Sequence, residues 1–273
     1  MVVCQAREAK QALSGNAIPT RFNIIRFEQL PSTNTWLNQA AETGVAGPGT
    51  VVVADFQSQG RGRQGRSWIC APGQGLAMSV LLEALLPPQQ TALVSLLAGL
   101  SVKSGLEEYL NTKGVQQPRL ELRWPNDLLH HGRKIAGILC ESATGTGDRR
   151  MVVMGIGVNI NQAESDFPSD LRTPAASLYV MTGKVEDPRC LLPFILSGID
   201  EYASRLEREG PRWIVREWLA ESGVEGRSVI LKTGEEVIVG IAAGLDDDGA
   251  MIIHKDNGRR IIRSGDLVEM GWS

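Results

Sequence analysis

Apolar residues recur along the chain with two spacings, one of about two residues and one of about 3.6, which predict strands and helices respectively. Residues 50–57 are rich in β-branched side chains and residues 75–83 alternate in polarity, so both segments are predicted strands. Residues 89–110 place leucine and valine at helical spacing and predict a long core helix behind the sheet. An antiparallel meander is predicted from three later strand-like runs, at residues 120–124, 134–142 and 151–161.

Capping residues mark the ends of two further helical stretches. Ser32 precedes a short helix that ends at Gly44, which is a plausible pair of caps. Residues 188–222 are predicted helical with a break at Gly210-Pro211, because proline interrupts the hydrogen-bonded ladder. Residues 1–20 are polar and small, with residues 7–10 mildly helical, and we interpret them as a leader or tail.

Beyond Gly226 the pattern changes to short strand-like runs separated by turns such as Thr233-Gly234 and Asp256-Asn257-Gly258. Short strands joined by such turns, one of them Asn-Gly, predict a small β-barrel of about fifty residues. The predicted fold class is α+β, with a mixed or antiparallel sheet, flanking helices and an all-β appendix. The predicted boundaries are a leader or tail at 1–20, a main domain at 21–225 and a C-terminal barrel domain at 226–273.

Composition and charge limit the classes of function. The chain has 273 residues, of which 42% are hydrophobic, and its net charge of -3 argues against a protein that coats nucleic acid. The four cysteines are scattered without a Cys-x-x-Cys pair, so neither a zinc site nor a disulfide framework is predicted, and we expect a cytoplasmic protein. Neither a secretory signal nor a run of about 18 apolar residues is present, so no membrane partner is expected.

An arginine-rich loop between two predicted strands is the first candidate for chemistry. The segment Gly60-Arg61-Gly62-Arg63-Gln64-Gly65-Arg66 combines a mobile backbone with three guanidinium groups, and Trp68 follows it. This combination is typical of a site for an anion such as a phosphate chain or a carboxyl-phosphate. A solvated basic loop has the same composition, so the pattern alone leaves both interpretations open.

Three other segments carry candidate residues, each with a structural alternative. Arg123-Trp124-Pro125-Asn126-Asp127 ends a strand with a carboxamide and a carboxylate, which are also common in plain turns. Lys134 opens an apolar run, where desolvation strengthens pairing with an anion, but a lysine at a strand start is often solvent-facing. Gly155-Ile156-Gly157-Val158-Asn159 places glycines in a strand, which indicates close approach of a ligand or tight packing.

Taken together, these segments resemble the biotin–protein ligase family. Its members carry a Ser-Thr-Asn triplet, a Gly-Arg-Gly-Arg-x-Gly-Arg loop, a Lys/Arg-Trp-Pro-Asn-Asp segment, a Lys-x-x-Gly-Ile strand and a Gly-x-Gly-x-Asn strand. In this chain the motifs stand in the same order, beginning at Ser32, Gly60, Arg123, Lys134 and Gly155. The resemblance covers about residues 25–270, and the arginine loop together with the Trp-Pro-Asn-Asp segment is highly specific.

The resemblance implies an enzyme that activates biotin with ATP and Mg²⁺ to biotinyl-AMP, releasing pyrophosphate. It then transfers biotin to a lysine of the biotin carboxyl carrier protein of acetyl-CoA carboxylase or a related carboxylase. The implied biotin-binding residues are Ser32, Thr33, Asn34, Gln57, Gly60, Arg61, Gly62, Arg63 and Lys134. The implied ATP- or adenylate-binding residues are Arg63, Arg66, Trp68, Asn126, Asp127, Asn159 and Ser177. Lys134, Arg61 and Arg63 would be catalytic, because positioned cations offset repulsion between two anions, and Asp127 would contact the metal.

The resemblance also implies a catalytic domain like that of class II aminoacyl-tRNA synthetases and a C-terminal SH3-like β-barrel. Two departures from the family pattern matter. Arg123 stands where many relatives have lysine, which keeps the charge. Some relatives carry a DNA-binding winged helix at the N-terminus, whereas only about twenty residues precede Arg21. We therefore expect a ligase without a DNA partner, acting as a monomer or weak homodimer.

Two competing functions are consistent with the same residues. Lipoate–protein ligases share the catalytic fold and the adenylate chemistry, but the Gly-Arg-Gly-Arg loop and the small C-terminal barrel are more typical of the biotin branch. A module that binds a carrier or senses nucleotides would retain the fold without the chemistry, and Lys134 together with Arg61 and Arg63 counts against lost activity.

Overall fold

The computed structural model describes residues 7–8, 17–255 and 258–271, which form five α-helices and two β-sheets. The helices are α1 (Thr33–Glu42), α2 (Thr91–Thr112), α3 (Leu178–Thr182), α4 (Leu192–Glu209) and α5 (Arg212–Ser222). The strands of the first sheet are β1 (Arg7–Glu8), β2 (Asn23–Leu30), β3 (Thr50–Gln57), β4 (Gly75–Glu83), β5 (Leu120–Arg123), β6 (Asp127–His130), β7 (Arg133–Thr144) and β8 (Arg150–Asn159). Those of the second are β9 (Ser228–Thr233), β10 (Glu236–Leu245), β11 (Met251–Lys255), β12 (Gly258–Ile262) and β13 (Asp266–Gly271).

The first sheet is mixed, with strand order β1-β2-β3-β4-β8-β7-β6-β5. β2 and β3 run parallel and every other neighbouring pair runs antiparallel. The predicted meander is present, but it has four strands in place of three. The sequence did not predict β6, because its two buried leucines are flanked by the turn-forming residues Asn126 and His131.

Both faces of the first sheet are covered, and the run Val51-Val52-Val53-Ala54 shows how. Val51 and Val53 point to a core shared with α2, α4 and α5, whereas Val52 and Ala54 point to a smaller core under α1. Side chains of a strand alternate between faces, so an unbroken apolar run suits a strand that is buried on both sides. The α1 face of this sheet carries the candidate site described below.

The second sheet is antiparallel, with strand order β12-β11-β10-β9-β13. Its inner residues belong to the same core as α2 and α5, and the buried Trp124 indole donates a hydrogen bond to the Gly249 carbonyl, 3.1 Å away. Register shifts between Ala242 and Gly244 and between Leu267 and Glu269 are bulges that bend a sheet. Within the described residues β12 and β13 remain separate edges, so the sheet is open where the sequence predicted a closed barrel.

The chain ends require one correction. The predicted helical character of residues 7–10 is wrong for Arg7–Glu8, which pair antiparallel with Arg26 and Ile25. The free backbone groups of an edge strand favour such pairing. Residues 1–6, with Cys4, and 9–16 of the predicted leader lie outside the described residues, as do residues 256–257 of the predicted turn.

None of the helices in the described part of the chain combines the length and the apolar character needed to cross a membrane.

Candidate active site

A cavity of about 120 Å³ opens on the α1 face of the first sheet, between the start of α1, the arginine loop and strands β7 and β8. It brings together most of the residues that the sequence singled out. Those that line it are Ser32, Thr33, Asn34, Gln57, Arg61, Gly62, Arg63, Arg66, Trp68, Asn126, Asp127 and Lys134. The prediction that these distant segments share one site therefore has a structural basis.

The start of α1 forms one wall of the cavity with its hydrogen-bonding groups held in place. Ser32 is the N-cap, and its hydroxyl accepts from the Thr35 backbone N–H. The Thr33 backbone N–H and hydroxyl both donate to Gln57 Oε1, at 2.8 and 3.1 Å. The fully buried Ser79 Oγ lies 2.7 Å from Thr33 Oγ1. This wall is rigid and polar, which suits recognition of a neutral ligand group with both donors and acceptors.

Asn34 links α1 to the arginine loop through a carboxylate. Its Nδ2 donates to Glu141 Oε2 at 2.7 Å, and Arg61 pairs with the same oxygen at 2.8 Å. A Cβ atom at Gly155 would lie 2.2 Å from Asn34 Oδ1, so this strand position must be glycine for Asn34 to occupy its place. Glu141 was missed by the sequence reasoning, although alternation along β7 places it on the same face as Gly137.

The arginine loop is closed at its base and turned at its tip by backbone contacts. The backbone N–H of Trp68 donates to the Gly60 carbonyl at 2.9 Å, and the backbone N–H of Gly62 donates to the Arg66 carbonyl at 2.7 Å. Gln64 and Gly65 have φ of 55° and 73°, which form the tight turn at the tip. Gly60 thus lies at the base of the loop and is not among the residues that line the cavity.

Two facing glycines form a platform for Trp68. Gly137 on β7 pairs with Gly157 on β8, and a Cβ at Gly157 would lie 2.5 Å from Trp68 Cε2. A Cβ at Gly137 would lie 2.9 Å from Lys134 Nζ and 3.1 Å from Trp68 Cζ3. The Trp68 indole and the Lys134 side chain therefore lie directly against the sheet. The strand glycines leave room for these two side chains.

A β-bulge turns Lys134 into the cavity. The register between β6 and β7 shifts by one residue, so that Leu128 pairs with Ala136 but Leu129 pairs with Lys134. Ile135 and Ala136 consequently both point into the core, and Lys134 lies on the cavity side with Gly137. Strict alternation would place the ammonium group among apolar side chains, where a charge is costly.

The ammonium group of Lys134 is held by a carboxylate. Lys134 Nζ lies 2.7 Å from Asp127 Oδ1 and 5.6 Å from the centre of the Trp68 ring. Both charged side chains are partly exposed to the cavity, so an incoming anion has access to the ammonium. This pair confirms that Lys134 does not face bulk solvent as an isolated charge.

Arg63 spans the distance from the arginine loop to both sheets. One of its terminal nitrogens donates to the Gly265 carbonyl at 3.1 Å, to Asn126 Oδ1 at 3.3 Å and to Asp266 Oδ1 at 3.4 Å. Burial lowers the pKa of the Arg63 guanidinium, while the charge of Asp266 raises it. Arginine stays protonated in proteins, so a partly buried positive charge is available to an anionic ligand.

Besides Gly60, two further predicted site residues lie outside the cavity lining. Asn159 Nδ2 donates to the carbonyls of Lys134 and Ala176, and its Oδ1 accepts from Gln162. Ser177 is fully buried as the N-cap of α3. These contacts give both residues a positioning role beside Lys134, and their contact with adenosine stays a prediction.

Among the described residues, no group of three or more histidine, cysteine, aspartate or glutamate side chains is placed so that it could hold a metal ion. Asp127 and Asp266 are carboxylates that line the cavity. Hard cations that keep several water ligands need only one or two protein carboxylates beside the oxygens of a phosphate substrate.

The glycine platform yields a prediction. Gly157→Ala will displace Trp68, because the new methyl group would collide with the indole and the loop that carries Trp68 can move more readily than the sheet. The indole N–H resonance of Trp68, assigned with a Trp68→Phe variant, reports its position. Gly47→Ala is the matched control, since a Cβ there meets no atom within 4 Å. An unchanged Trp68 resonance in Gly157→Ala would contradict the platform.

Two family models match the chain. Residues 26–159 match the model of the biotin/lipoate A/B protein ligase family, and residues 226–268 match the model of the biotin protein ligase C terminal domain. The first match contains the α1 start, the arginine loop and strands β3 to β8. The second contains Asp266.

Named relatives and solved structures match most of the chain. The chain is 33% identical to the bifunctional ligase/repressor BirA of Bacillus subtilis over 249 residues, which are 91% of this chain and 74% of that protein. It is 32% identical to the biotin–[acetyl-CoA-carboxylase] ligase of Paracoccus denitrificans over 217 residues, 79% of this chain and 88% of that protein. The structure of a biotin protein ligase from Aquifex aeolicus in complex with biotin and ATP superposes with a TM-score of 0.73, at 31% identity, covering 92% and 99% of the two chains.

Proposed function

The chain belongs to the biotin/lipoate A/B protein ligase family, within its biotin–protein ligases, and we propose that it activates biotin with ATP and joins it to a lysine of a carrier protein. The proposal is supported by one observation: a single cavity has two chemically different walls. One wall is a fixed polar surface at Thr33 and Gln57, and the other carries the cations Arg63 and Lys134. A neutral ring would lie against the polar wall. The carboxylate tail attached to that ring, and a nucleotide phosphate beside it, would lie against the cationic wall.

The first wall suits the ureido ring of biotin. A ureido group offers two N–H donors and a carbonyl acceptor, and the start of α1 carries hydroxyl, amide and backbone groups that complement them. Ser32, Thr33, Asn34 and Gln57 are proposed to bind this ring. The hydrogen bonds between Thr33 and Gln57, and that from the Thr35 N–H to Ser32, fix these side chains before the ligand arrives, which reduces the entropy lost on binding.

The second wall suits the reacting anions. In the proposed first step a biotin carboxylate oxygen attacks the α-phosphorus of ATP, the bond from that phosphorus to the bridging oxygen breaks, and pyrophosphate leaves. Lys134 would exchange its pairing with Asp127 for the carboxylate and the transferred phosphate. Arg61 and Arg63 would contact the phosphates from the loop. Cations placed in advance lower the barrier because they need no reorganisation as charge develops.

In the proposed second step the amine of the carrier lysine attacks the acyl carbon of biotinyl-AMP. An amide bond forms, AMP leaves with the electron pair, and one proton is released from the nitrogen. The mixed anhydride is labile in water, so the arginine loop is proposed to cover it until the carrier arrives.

Mg²⁺ is proposed to accompany the nucleotide, and it would neutralise charge on the ATP phosphates. Asp127 and the carboxamide of Asn126 offer the oxygen ligands that this ion prefers, at the cavity wall beside Arg63. Asp127 also pairs with Lys134, so its carboxylate would be free to contact the metal once Lys134 turns to the substrate.

The C-terminal part of the chain supports biotin over lipoate as substrate, since residues 226–268 match a domain model named for biotin protein ligases. We propose that this part has an SH3-like arrangement of strands, open between β12 and β13, and that residues 21–225 are a catalytic domain like that of class II aminoacyl-tRNA synthetases. The acceptor is proposed to be the biotin carboxyl carrier protein of acetyl-CoA carboxylase or a related carboxylase. The proposed place of reaction is the cytoplasm, which supplies ATP and keeps thiols such as Cys70 reduced.

Exchange of labelled pyrophosphate into ATP tests the first step and separates the candidate substrates. We expect exchange with biotin and none above background with lipoate or without an acid. Exchange driven by lipoate alone would assign the chain to lipoate ligation, and absence of exchange with either acid would indicate a binding module without chemistry.

A further inference from the structure

One carboxylate from the C-terminal sheet lies among the arginines of the active site. Asp266 is the first residue of β13, and only 14% of its side chain is exposed. Its Oδ1 and Oδ2 accept from the same nitrogen of Arg66 at 2.9 and 3.0 Å. Arg172, from the segment before α3, donates to Oδ2 at 2.7 Å, and Arg63 lies 3.4 Å from Oδ1. Asp266 therefore joins two separate segments, the arginine loop and the segment before α3, to the second sheet.

The positive charges of Arg66 and Arg172 favour the ionised form of Asp266. Burial alone would raise the pKa of Asp266, but hydrogen bonds and charges from Arg66 and Arg172 outweigh it and lower the pKa. The lowered pKa of Asp266 therefore favours the ionised carboxylate. A single negative charge among three guanidinium groups leaves the cluster positive, so its attraction for phosphates persists.

The distances divide the three arginines into two kinds. The Arg66 guanidinium is held by two partners. A terminal nitrogen donates to Asp266, and Nε donates to the Arg63 carbonyl at 3.0 Å. Arg172 makes the shortest of the three contacts. The guanidinium of Arg63 instead shares one nitrogen among three acceptors at 3.1 to 3.4 Å, which are longer contacts than those of Arg66 and Arg172 with Asp266. Arg63 can leave its acceptors at lower cost than Arg66 can leave Asp266.

We propose that Asp266 is a positioning residue for the arginine loop, an inference that rests on the proposed function. Through Arg66 and Arg172 it fixes the loop over the cavity in a shape that binds nucleotide, while Arg63 is left able to turn toward the phosphates. In this arrangement Arg66 anchors the loop, and the C-terminal sheet is a structural part of the adenylation site.

The test compares Asp266→Asn with Glu269→Gln, which removes the same charge from an exposed position of the same strand. Asp266→Asn should raise the KM for ATP about tenfold, the effect of losing one charged hydrogen-bonded pair, and change kcat at saturating ATP about twofold or less. Trypsin should cut after the loop arginines about tenfold faster, because local opening sets the cleavage rate. Glu269→Gln should match the wild-type chain in both measurements.

Two further variants separate positioning from a general loss of structure. Asp266→Glu keeps a carboxylate and should recover most of the wild-type KM for ATP. Arg66→Gln should act like Asp266→Asn, and the double variant should be no worse than either single one, because both remove the same contact. If Asp266→Asn unfolds at a much lower temperature than Glu269→Gln, then Arg66→Gln carries the comparison instead.

The outcomes distinguish this inference from the proposed function. Equal KM and equal trypsin cleavage for Asp266→Asn and Glu269→Gln would overturn the inference while leaving ligase activity intact. A lower KM for ATP in Asp266→Asn would also overturn it, since Asp266 would then compete with the phosphates. Absence of biotin-dependent exchange in the wild-type chain would refute the proposed function, and trypsin cleavage would still report whether Asp266 holds the loop.

Discussion

Replacing Lys134 with alanine will nearly abolish formation of the adenylate. The proposed first step brings a carboxylate and a phosphate together, and the ammonium of Lys134 is the group held at the cavity wall by one ion pair that can be exchanged. Loss of one preorganised group that stabilises developing charge lowers such rates by about 10²–10³-fold. Single-turnover formation of biotinyl-AMP at saturating ATP and biotin measures the effect on chemistry directly.

The control for Lys134→Ala is Lys184→Ala, which removes an exposed lysine beyond α3. The folding stability of Lys134→Ala should change little, because partly exposed ion pairs contribute about 1 kcal/mol or less. A loss of activity at an unchanged melting temperature would therefore be chemical in origin. Near-normal single-turnover adenylation in Lys134→Ala would remove this residue from the mechanism.

Replacing Arg63 with glycine will release biotinyl-AMP before transfer and label lysines of bystander proteins. Arg63 connects the loop to Asn126 on one side and to Gly265 and Asp266 on the other. Loss of charged hydrogen bonds worth about 1.5–3 kcal/mol in total should increase adenylate release about 10–100-fold. The free anhydride then reacts with any amine in reach.

The measurement for Arg63→Gly is the fraction of biotin found on a bystander protein that is mixed with the carrier and the enzyme. Arg149→Gly, in an exposed turn, is the matched control and should label only the carrier. Labelling confined to the carrier in Arg63→Gly, with adenylate fully retained, would show that Arg63 is not part of a lid.

The parts of the site that the sequence predicted are local in the chain. A hydroxyl residue before a helix marks the α1 cap at Ser32, and the loop from Gly60 to Arg66 is recognisable by composition alone. The segment around Asn126 and the glycines at Gly155 and Gly157 stand in strands or at their ends, where polarity and residue size are informative. Such features can be predicted from sequence because the residues that determine them are close neighbours in the chain.

The remaining parts depend on pairing between distant segments. Lys134 reaches the cavity because the bulge at Ile135 reverses the alternation of β7, and that register depends on β6, whose four residues resemble a turn. Glu141 becomes significant only when Arg61 and Asn34 are placed beside it. Asp266 lies about two hundred residues from the loop in sequence, and no local pattern distinguishes it from other surface aspartates.

The wrong helical prediction for Arg7–Glu8 and the predicted barrel, which the structure shows as an open sheet, have a similar explanation. Arg7–Glu8 are extended because the edge of β2 offers hydrogen-bonding partners, which local propensity does not include. Short strands with tight turns predict a small antiparallel unit correctly, but closure requires contact between the first and last edges. Within the described residues these edges, β12 and β13, stay apart.

Transfer of biotin to a carrier lysine is the most direct test of the proposed function. The chain is incubated with ATP, Mg²⁺, biotin and an isolated biotin carboxyl carrier domain, and the carrier is examined by intact-mass spectrometry with peptide mapping. We predict one biotinyl group on one lysine, formed only with ATP, with AMP and pyrophosphate released in equal amounts. A carrier that remains unmodified while the chain binds both biotin and ATP would contradict the proposal.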